Sequence, residues 1–165
     1  MSTAHHPPAR PTLAVDIAGL LGFLLLSLAV ATLGSMATTP AIPTWYAQLN
    51  KPTWTPPNIA FPIVWPILFG MMALSAWMVW RKGGQLALWI YALQLTLNAA
   101  WSWLFFYLQQ PGLAFLEIIV LWLAIAATVV SFSRVSRTAA LLLIPYLAWV
   151  SFAATLNFAI WRLNP

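Results

Sequence analysis

The sequence predicts an all-α integral membrane protein: five transmembrane helices in a single bundle, with a structured loop between the first two. Three observations predict it. Hydrophobic residues make up 62% of the 165 positions and charged residues only 5%, whereas soluble domains carry about 25% charged residues. Five stretches approach the roughly 20 apolar residues that a helix needs to cross the hydrocarbon core. Between the first two lies a segment dense in proline and tryptophan, with Pro52, Pro56, Pro57 and Pro62 inside eleven residues. Proline removes backbone donors and fixes φ, so this segment is expected to hold one shape.

Residues 1–12 read as a disordered tail carrying His5 and His6, and residues 13–165 as the transmembrane domain. The first span is expected over 13–34. A secretory signal is the alternative, but the apolar run is long for one and contains Asp16. Small residues recur at Ala14, Ala18 and Gly22, then Ser27, Ala31 and Ser35, a spacing that lets helices pack closely in lipid. The 35–58 loop follows, with 40–58 as an interfacial cap rich in Trp and Tyr. The second span is expected over 59–80, closed by Arg81-Lys82-Gly83-Gly84, and the third over 85–107 before the turn Gln109-Gln110-Pro111-Gly112. The fourth runs over 113–132, ended by Arg134 and Arg137. The fifth covers 139–161, interrupted at Pro145 and stopped by Arg162.

Short connections make neighbouring spans antiparallel. Arg10, Arg81, Lys82, Arg134 and Arg137 then share one side, and Lys51 and Arg162 the other. That bias puts the N-terminus in the cytoplasm and the C-terminus outside, in a bacterial cell membrane or, in a eukaryote, the mitochondrial outer membrane. The net charge of +5 is scattered at segment ends, which suits orientation in a bilayer and excludes a nucleic-acid-tracking stripe. The absence of cysteine removes disulfides, thiolate metal sites and a Cys nucleophile. With both histidines in the tail, no span offers an axial ligand to a haem iron, and no metal site is expected.

At 100° per residue, Tyr91, Gln94, Asn98, Trp101 and Phe105 share one face of the third span. Lipid cannot satisfy polar groups, so this face is expected to turn inward. Ala92, Thr96 and Ala100 on the opposite side would meet another helix, either in the same bundle or in a second chain of a homodimer. Glu117 is the one acid deep in a span. It is either a functional group or a near-end carboxylate accepting hydrogen bonds from a Trp or Asn of the next helix. It has no second acid, His or Lys beside it, and the serines in the spans lack a base, so glycosidase, aspartic-protease and intramembrane hydrolase chemistry have no support.

Pro145, Trp149, Phe152 and Leu156 share a face of the fifth span, with Tyr146, Val150, Ala153 and Asn157 beside them. Trp65, Phe69, Met72 and Ala76 form the comparable face of the second. Of eleven tryptophans, Trp45, Trp54, Trp80, Trp89 and Trp161 lie near segment ends as anchors. Trp65, Trp101, Trp122 and Trp149 lie deeper. Together with Asn98 and Asn157, these predict an aromatic-walled pocket for a large, flat, apolar ligand.

The strings Trp45-Tyr46-x-x-Leu49-x-Lys51-Pro52-x-Trp54-x-Pro56-Pro57, Phe61-x-x-x-Trp65, Leu97-Asn98-x-x-Trp101, Pro145-Tyr146-x-x-Trp149 and Ala154-Thr155-Leu156-Asn157-Phe158 resemble the tryptophan-rich sensory protein/translocator protein (TspO/MBR) family. The resemblance covers the chain beyond its tail. It implies five transmembrane helices, frequent dimerisation and a pocket beneath the first loop that binds porphyrins, notably protoporphyrin IX. It further implies that Trp65 and Trp149 match the two tryptophans connected with light-dependent porphyrin breakdown. Asn98, Ala153, Leu156 and first-loop residues such as Trp54 would line the pocket. Animal members also bind cholesterol and benzodiazepine-type drugs. Two departures count against both here: Leu113 stands where animal members have a pocket Trp, and Phe158 replaces the Tyr of the cholesterol pattern, itself a weak signal.

Taken together, the expected ligand-binding set is Trp54, Trp65, Phe69, Asn98, Trp101, Glu117, Tyr146, Trp149, Ala153, Leu156 and Asn157, with Lys51 and Arg162 as partners for porphyrin propionates. Porphyrin is expected as a ligand, with no covalently bound cofactor. Three functions compete: a porphyrin-binding sensor or carrier, a photochemical enzyme using Trp65 and Trp149, and a transporter. The last lacks internal repeats and a coupling carboxylate pair.

Overall fold

The computed structural model describes residues 12–165. His5, His6 and Arg10, and all of the expected tail except Thr12, lie outside them. Among the described residues the chain is helical without strands. Helix α1 (Leu13–Ala41) is followed by a single-turn helix α2 (Trp45–Gln48), then α3 (Ala60–Trp80) and α4 (Gln85–Ser102). A π-helical turn (Trp103–Tyr107) continues α4. Next come α5 (Pro111–Ser133), α6 (Arg137–Leu142) and α7 (Ile144–Leu163). Four stretches are long and apolar enough to cross a membrane: 13–41, 60–80, 111–133 and 137–163. Helix α4, shorter and carrying Gln85, Gln94 and Asn98, is not one of them, so four of the five expected spans are met on length and composition.

Two boundaries differ from expectation for visible reasons. Helix α1 runs to Ala41, so the connection is 42–59 rather than 35–58. Thr32, Ser35 and Thr38 return their hydroxyls to carbonyls of their own helix (Leu28, Thr32 and Gly34, 2.8–3.0 Å), which lets a hydroxyl-rich stretch stay helical in an apolar setting. Pro145 breaks the last span at Leu143, because a proline cannot complete the backbone bond to Leu141.

The long helices form a ring in the order α1, α3, α6/α7, α5, α4, and back to α1. One half is solid. Met72, Ala73, Ala76 and Val79 of α3, Tyr91 and Leu95 of α4, Ile118, Leu121 and Ile125 of α5 and Tyr146 and Val150 of α7 are buried there. At that end α1 is fastened to α3. Asp16 Oδ1 meets Arg81 Nε at 2.8 Å, the Trp77 indole donates to the Asp16 carbonyl at 3.0 Å, and Phe23 packs edge-on against Trp80. The outward faces carry Leu13, Ile17, Leu21, Leu25, Ile63, Leu116 and Leu123, all exposed. Such a band has no reason to exist in water, and the chain is a multi-pass membrane protein.

Gly19 faces the Trp80 ring so closely that a Cβ there would clash with it, whereas a Cβ at Gly22 meets nothing within 4 Å. Gly19→Val is therefore expected to destabilise by about 1–3 kcal/mol through overpacking, and Gly22→Ala to be neutral or stabilising. Thermal unfolding in detergent, followed by loss of helical circular dichroism, checks the pair.

Candidate functional site

The other half of the bundle is hollow. A cavity of about 600 Å³, within the roughly 300–1,000 Å³ typical of small-molecule sites, lies where α1 and α4 end, α3 begins and α7 ends. Phe61, Trp65 and Phe69 of α3 form one wall, Trp101 with Phe105 and Phe106 another, and Trp149, Phe152 and Leu156 of α7 a third. Asn98 and Asn157 are its deeper polar points, and among the described residues no acidic or basic side chain lines it.

Local sequence explains each wall. The i, i+4 spacing puts Trp65 beside Phe69 (5.6 Å between centroids) and Trp101 beside Phe105 (5.3 Å, near-parallel). The π turn, closed by Leu108 N–H donating to Trp103 at 2.8 Å, inserts an extra residue per turn. Phe106, five positions after Trp101, thereby packs edge-on against it at 5.9 Å, and both line the cavity. On α7, Trp149 reaches across to Phe61 at 5.9 Å.

Hydrogen bonds hold the walls in register. Trp101 Nε1 donates to Asn157 Oδ1 (3.0 Å), whose Nδ2 donates to the Pro111 carbonyl (2.8 Å), tying α4, α7 and α5 together. Asn98 Nδ2 donates to the Tyr146 hydroxyl at 2.9 Å. Tyr146 is fully buried behind the wall, with its ring edge toward Trp65.

The loop roofs the cavity. Tyr46 is buried against Phe105 and Phe106, and burial pushes its phenol pKa above the usual value. Lys51 Nζ donates to the carbonyls of Tyr46 (2.6 Å) and Leu49 (2.9 Å) and lies 4.8 Å from the centre of the Tyr46 ring. It closes the C-terminal end of α2 as a helix-capping cation does.

Of the expected site residues, Trp65, Phe69, Asn98, Trp101, Trp149, Ala153, Leu156 and Asn157 line the cavity. Tyr146 stands behind it. Trp54, half-exposed, does not line the cavity but packs edge-on against Phe152, which does, at 5.8 Å. Glu117 is off the cavity, and neither of its buried oxygens has a hydrogen-bond partner among the described residues. Lys51 and Arg162 do not line the cavity either, and Lys51 is committed to loop carbonyls. Trp122, grouped with the deep indoles, is not in the chamber: its indole donates to Ser151 Oγ at 2.8 Å and joins α5 to α7.

What sequence reasoning missed is α1. Ser27, Ala31, Ser35 and Thr38 line the cavity. The four-residue row of small side chains was a visible signal, but here it makes room for a cavity rather than for a neighbouring helix.

The residues of the sequence strings come together here, with the proline-rich loop over the cavity and Trp65, Trp149, Asn98 and Asn157 in its lining. The TspO/MBR family model matches residues 23–162. The chain belongs to the TspO/MBR family. It is 45% identical over 145 residues to the tryptophan-rich protein TspO of Chlorobaculum tepidum, covering 85% of this chain and 92% of that protein. It is 38% identical over 157 residues to the TspO protein of Archaeoglobus fulgidus, covering 91% and 99%. It is 41% identical over 126 residues to the human translocator protein, covering 73% and 75%.

Within this family member the Trp101–Asn157 bond is the link that can be weighed. A double-mutant cycle of Trp101→Phe and Asn157→Ala is expected to give a coupling of about 0.6–1.7 kcal/mol, the range for hydrogen bonds between membrane helices. Unfolding midpoints of the four proteins measure it; additive effects would mean the bond contributes nothing.

Proposed function

We propose that the protein crosses the membrane five times, with α4 and its π turn as the fifth span, and binds a tetrapyrrole, protoporphyrin IX, in the chamber beneath the 42–59 loop. The observation that carries this reading is the cavity itself: three walls of indole and phenyl rings, three asparagines (Asn58, Asn98 and Asn157), and among the described residues no charged side chain or histidine in the lining. A metal-free porphyrin needs flat aromatic surface and no axial ligand, and the lining offers that. Residues 85–107 make α4 long enough to cross when the π turn is counted. Its amides at Gln94 and Asn98 are buried inward, which accounts for much of its modest hydropathy. The bases Arg81, Lys82, Arg134 and Arg137 sit at the end opposite the roof, which favours that end as cytoplasmic. Thr96, exposed on the lipid side of α4 between half-buried Ala92 and Ala100, supports a homodimer through that face.

Porphyrin sensing, delivery or disposal all begin with binding, so binding is what the chamber must first do. Trp65 and Trp149 both border the chamber, which favours a second reading in which these indoles quench a photoexcited porphyrin by electron transfer.

Titrating protoporphyrin IX into the purified protein in the dark is expected to quench tryptophan fluorescence saturably. Asn98→Leu with Asn157→Leu should weaken that quenching by about tenfold, about 1.4 kcal/mol. Absence of saturable quenching refutes the proposal. Illumination of the complex is expected to bleach the Soret band faster in the parent than in Trp65→Phe/Trp149→Phe. Equal bleaching leaves binding intact and ends the photochemical reading.

A further inference from the structure

The chamber has two possible ways out, through the roof or sideways between α1 and α3, and they are built differently. The roof is bonded down. Asn50 N–H donates to Asn164 Oδ1 at 3.0 Å, and Asn164 Nδ2 donates back to the Asn50 carbonyl at 3.0 Å, a reciprocal pair joining the loop to the end of α7. Trp45 packs on Phe105 at 5.5 Å and Trp54 on Phe152 at 5.8 Å, and Lys51 ties the loop to itself. Opening upward breaks these contacts together.

The side is different. The cavity-lining residues that are also exposed come from α1 (Leu24, Leu28, Thr32, Ser35, Thr39), from the start of α3 (Pro62, Pro66), and from Asn58 just before it. The cavity therefore reaches the molecular surface between these two helices. From Leu24 to Thr39 the slit extends about 22 Å at 1.5 Å per residue, within the roughly 30 Å hydrocarbon layer. Among the described residues no side-chain hydrogen bond joins this half of α1 to α3; their polar ties, from Asp16 to Trp77 and Arg81, are all at the opposite end. The rim is apolar in effect, because the Thr32 and Ser35 hydroxyls already donate to α1 carbonyls. Pro66 lies inside α3 at this level, where it removes one rung of the helix and bends it. A Cβ at Gly70, further along the same wall, would meet nothing within 4 Å.

We infer that a flat apolar ligand dissolved in the bilayer enters and leaves the chamber sideways, through the slit between α1 and α3, while the roof stays latched to α7. This route rests on the binding reading above and adds to it the phase from which the ligand arrives. A molecule taking this path never crosses water, and its ring can slide edge-first between Leu28 and Pro66. Any charged substituent trails toward Thr39 and Asn58 at the upper end of the slit, since nothing inside the chamber balances a charge.

The test uses the full chain in lipid nanodiscs with protoporphyrin IX as probe, and it exploits the absence of native cysteine. The double variant Asn50→Cys/Asn164→Cys puts a disulfide where the latch is, and its reduced form is the internal control. Ser35→Phe/Thr39→Phe narrows the slit at two exposed rim positions. Association and dissociation are followed by stopped-flow tryptophan quenching. The oxidised latch is expected to exchange porphyrin at the rate of its reduced form. The rim variant is expected to exchange about tenfold more slowly, a barrier increase of about 1.4 kcal/mol, with Leu21→Phe/Leu25→Phe, exposed on α1 but outside the cavity lining, unaffected. Slower exchange in the oxidised latch, or parental rates in the rim variant, overturns the route while leaving binding intact. No saturable quenching by the unaltered protein would instead defeat the binding proposal and the route with it.

Discussion

Lipid offers no hydrogen bonds, and that constraint decides how every helix in this protein is turned. Asn98 and Asn157 cannot face acyl chains without leaving amide groups unsatisfied, a cost of several kcal/mol each. They face inward and find Tyr146, Trp101 and the Pro111 carbonyl. Once those bonds exist, the rotation of α4 and α7 is fixed. Rings three and four positions away on the same faces have nowhere to go but the centre of the bundle. The aromatic walls are thus a consequence of where the asparagines must point.

The same constraint explains which parts could be read from the sequence. The inward face of α4 (Tyr91, Gln94, Asn98, Phe105) follows from helical period and polarity alone, and all four are buried. So do Trp65 and Trp149, which recur at the spacing of Phe69 and Phe152. Helix α1 was not legible in this way. The hydroxyls of Thr32, Ser35 and Thr38 are satisfied by carbonyls of the same helix and so do not orient it, and its small residues fit close packing and cavity lining equally well. Trp122 illustrates the converse: depth along a span is readable, but its azimuth depends on a partner, here Ser151, that no local pattern announces. Lys51 was legible as a cation near the ligand end, but not as one already held by the carbonyls of Tyr46 and Leu49. That assignment required the turn of the loop.

The two ends of the bundle divide the work between stability and function. At the basic end, Asp16, Trp77, Arg81 and the buried Met72–Val79 face pack solidly and hold α1 against α3. At the roofed end, α1 instead leans on the π turn, where the Trp103 indole donates to the Leu33 carbonyl at 3.1 Å and Gly34 sits against Ser102. Two helices fastened at one end and separately supported at the other leave a wedge between them, and the chamber occupies that wedge. Filling it with side chains would gain dispersion contacts, so a wall of small residues on α1 opposite large rings on α3 and α7 gives up packing to keep space open.

What kind of molecule that space suits follows from what the walls lack. A carboxylate or ammonium brought among Trp65, Trp101 and Trp149 would find neutral amides and hydroxyls, those of Asn98 and Asn157 already hydrogen-bonded within the bundle, and among the described residues no opposite charge in the lining. The burial cost of its charge would go uncompensated. A flat neutral ring system meets the opposite balance, because it gains area on several aromatic faces and loses little hydration. For a tetrapyrrole bearing acidic side chains, the two demands are reconciled only if the ring is inside and the acids are at the rim. The exposed lining of the slit between α1 and α3 ends at Thr39 and Asn58, beside the loop, and acids placed there would lie outside the aromatic walls.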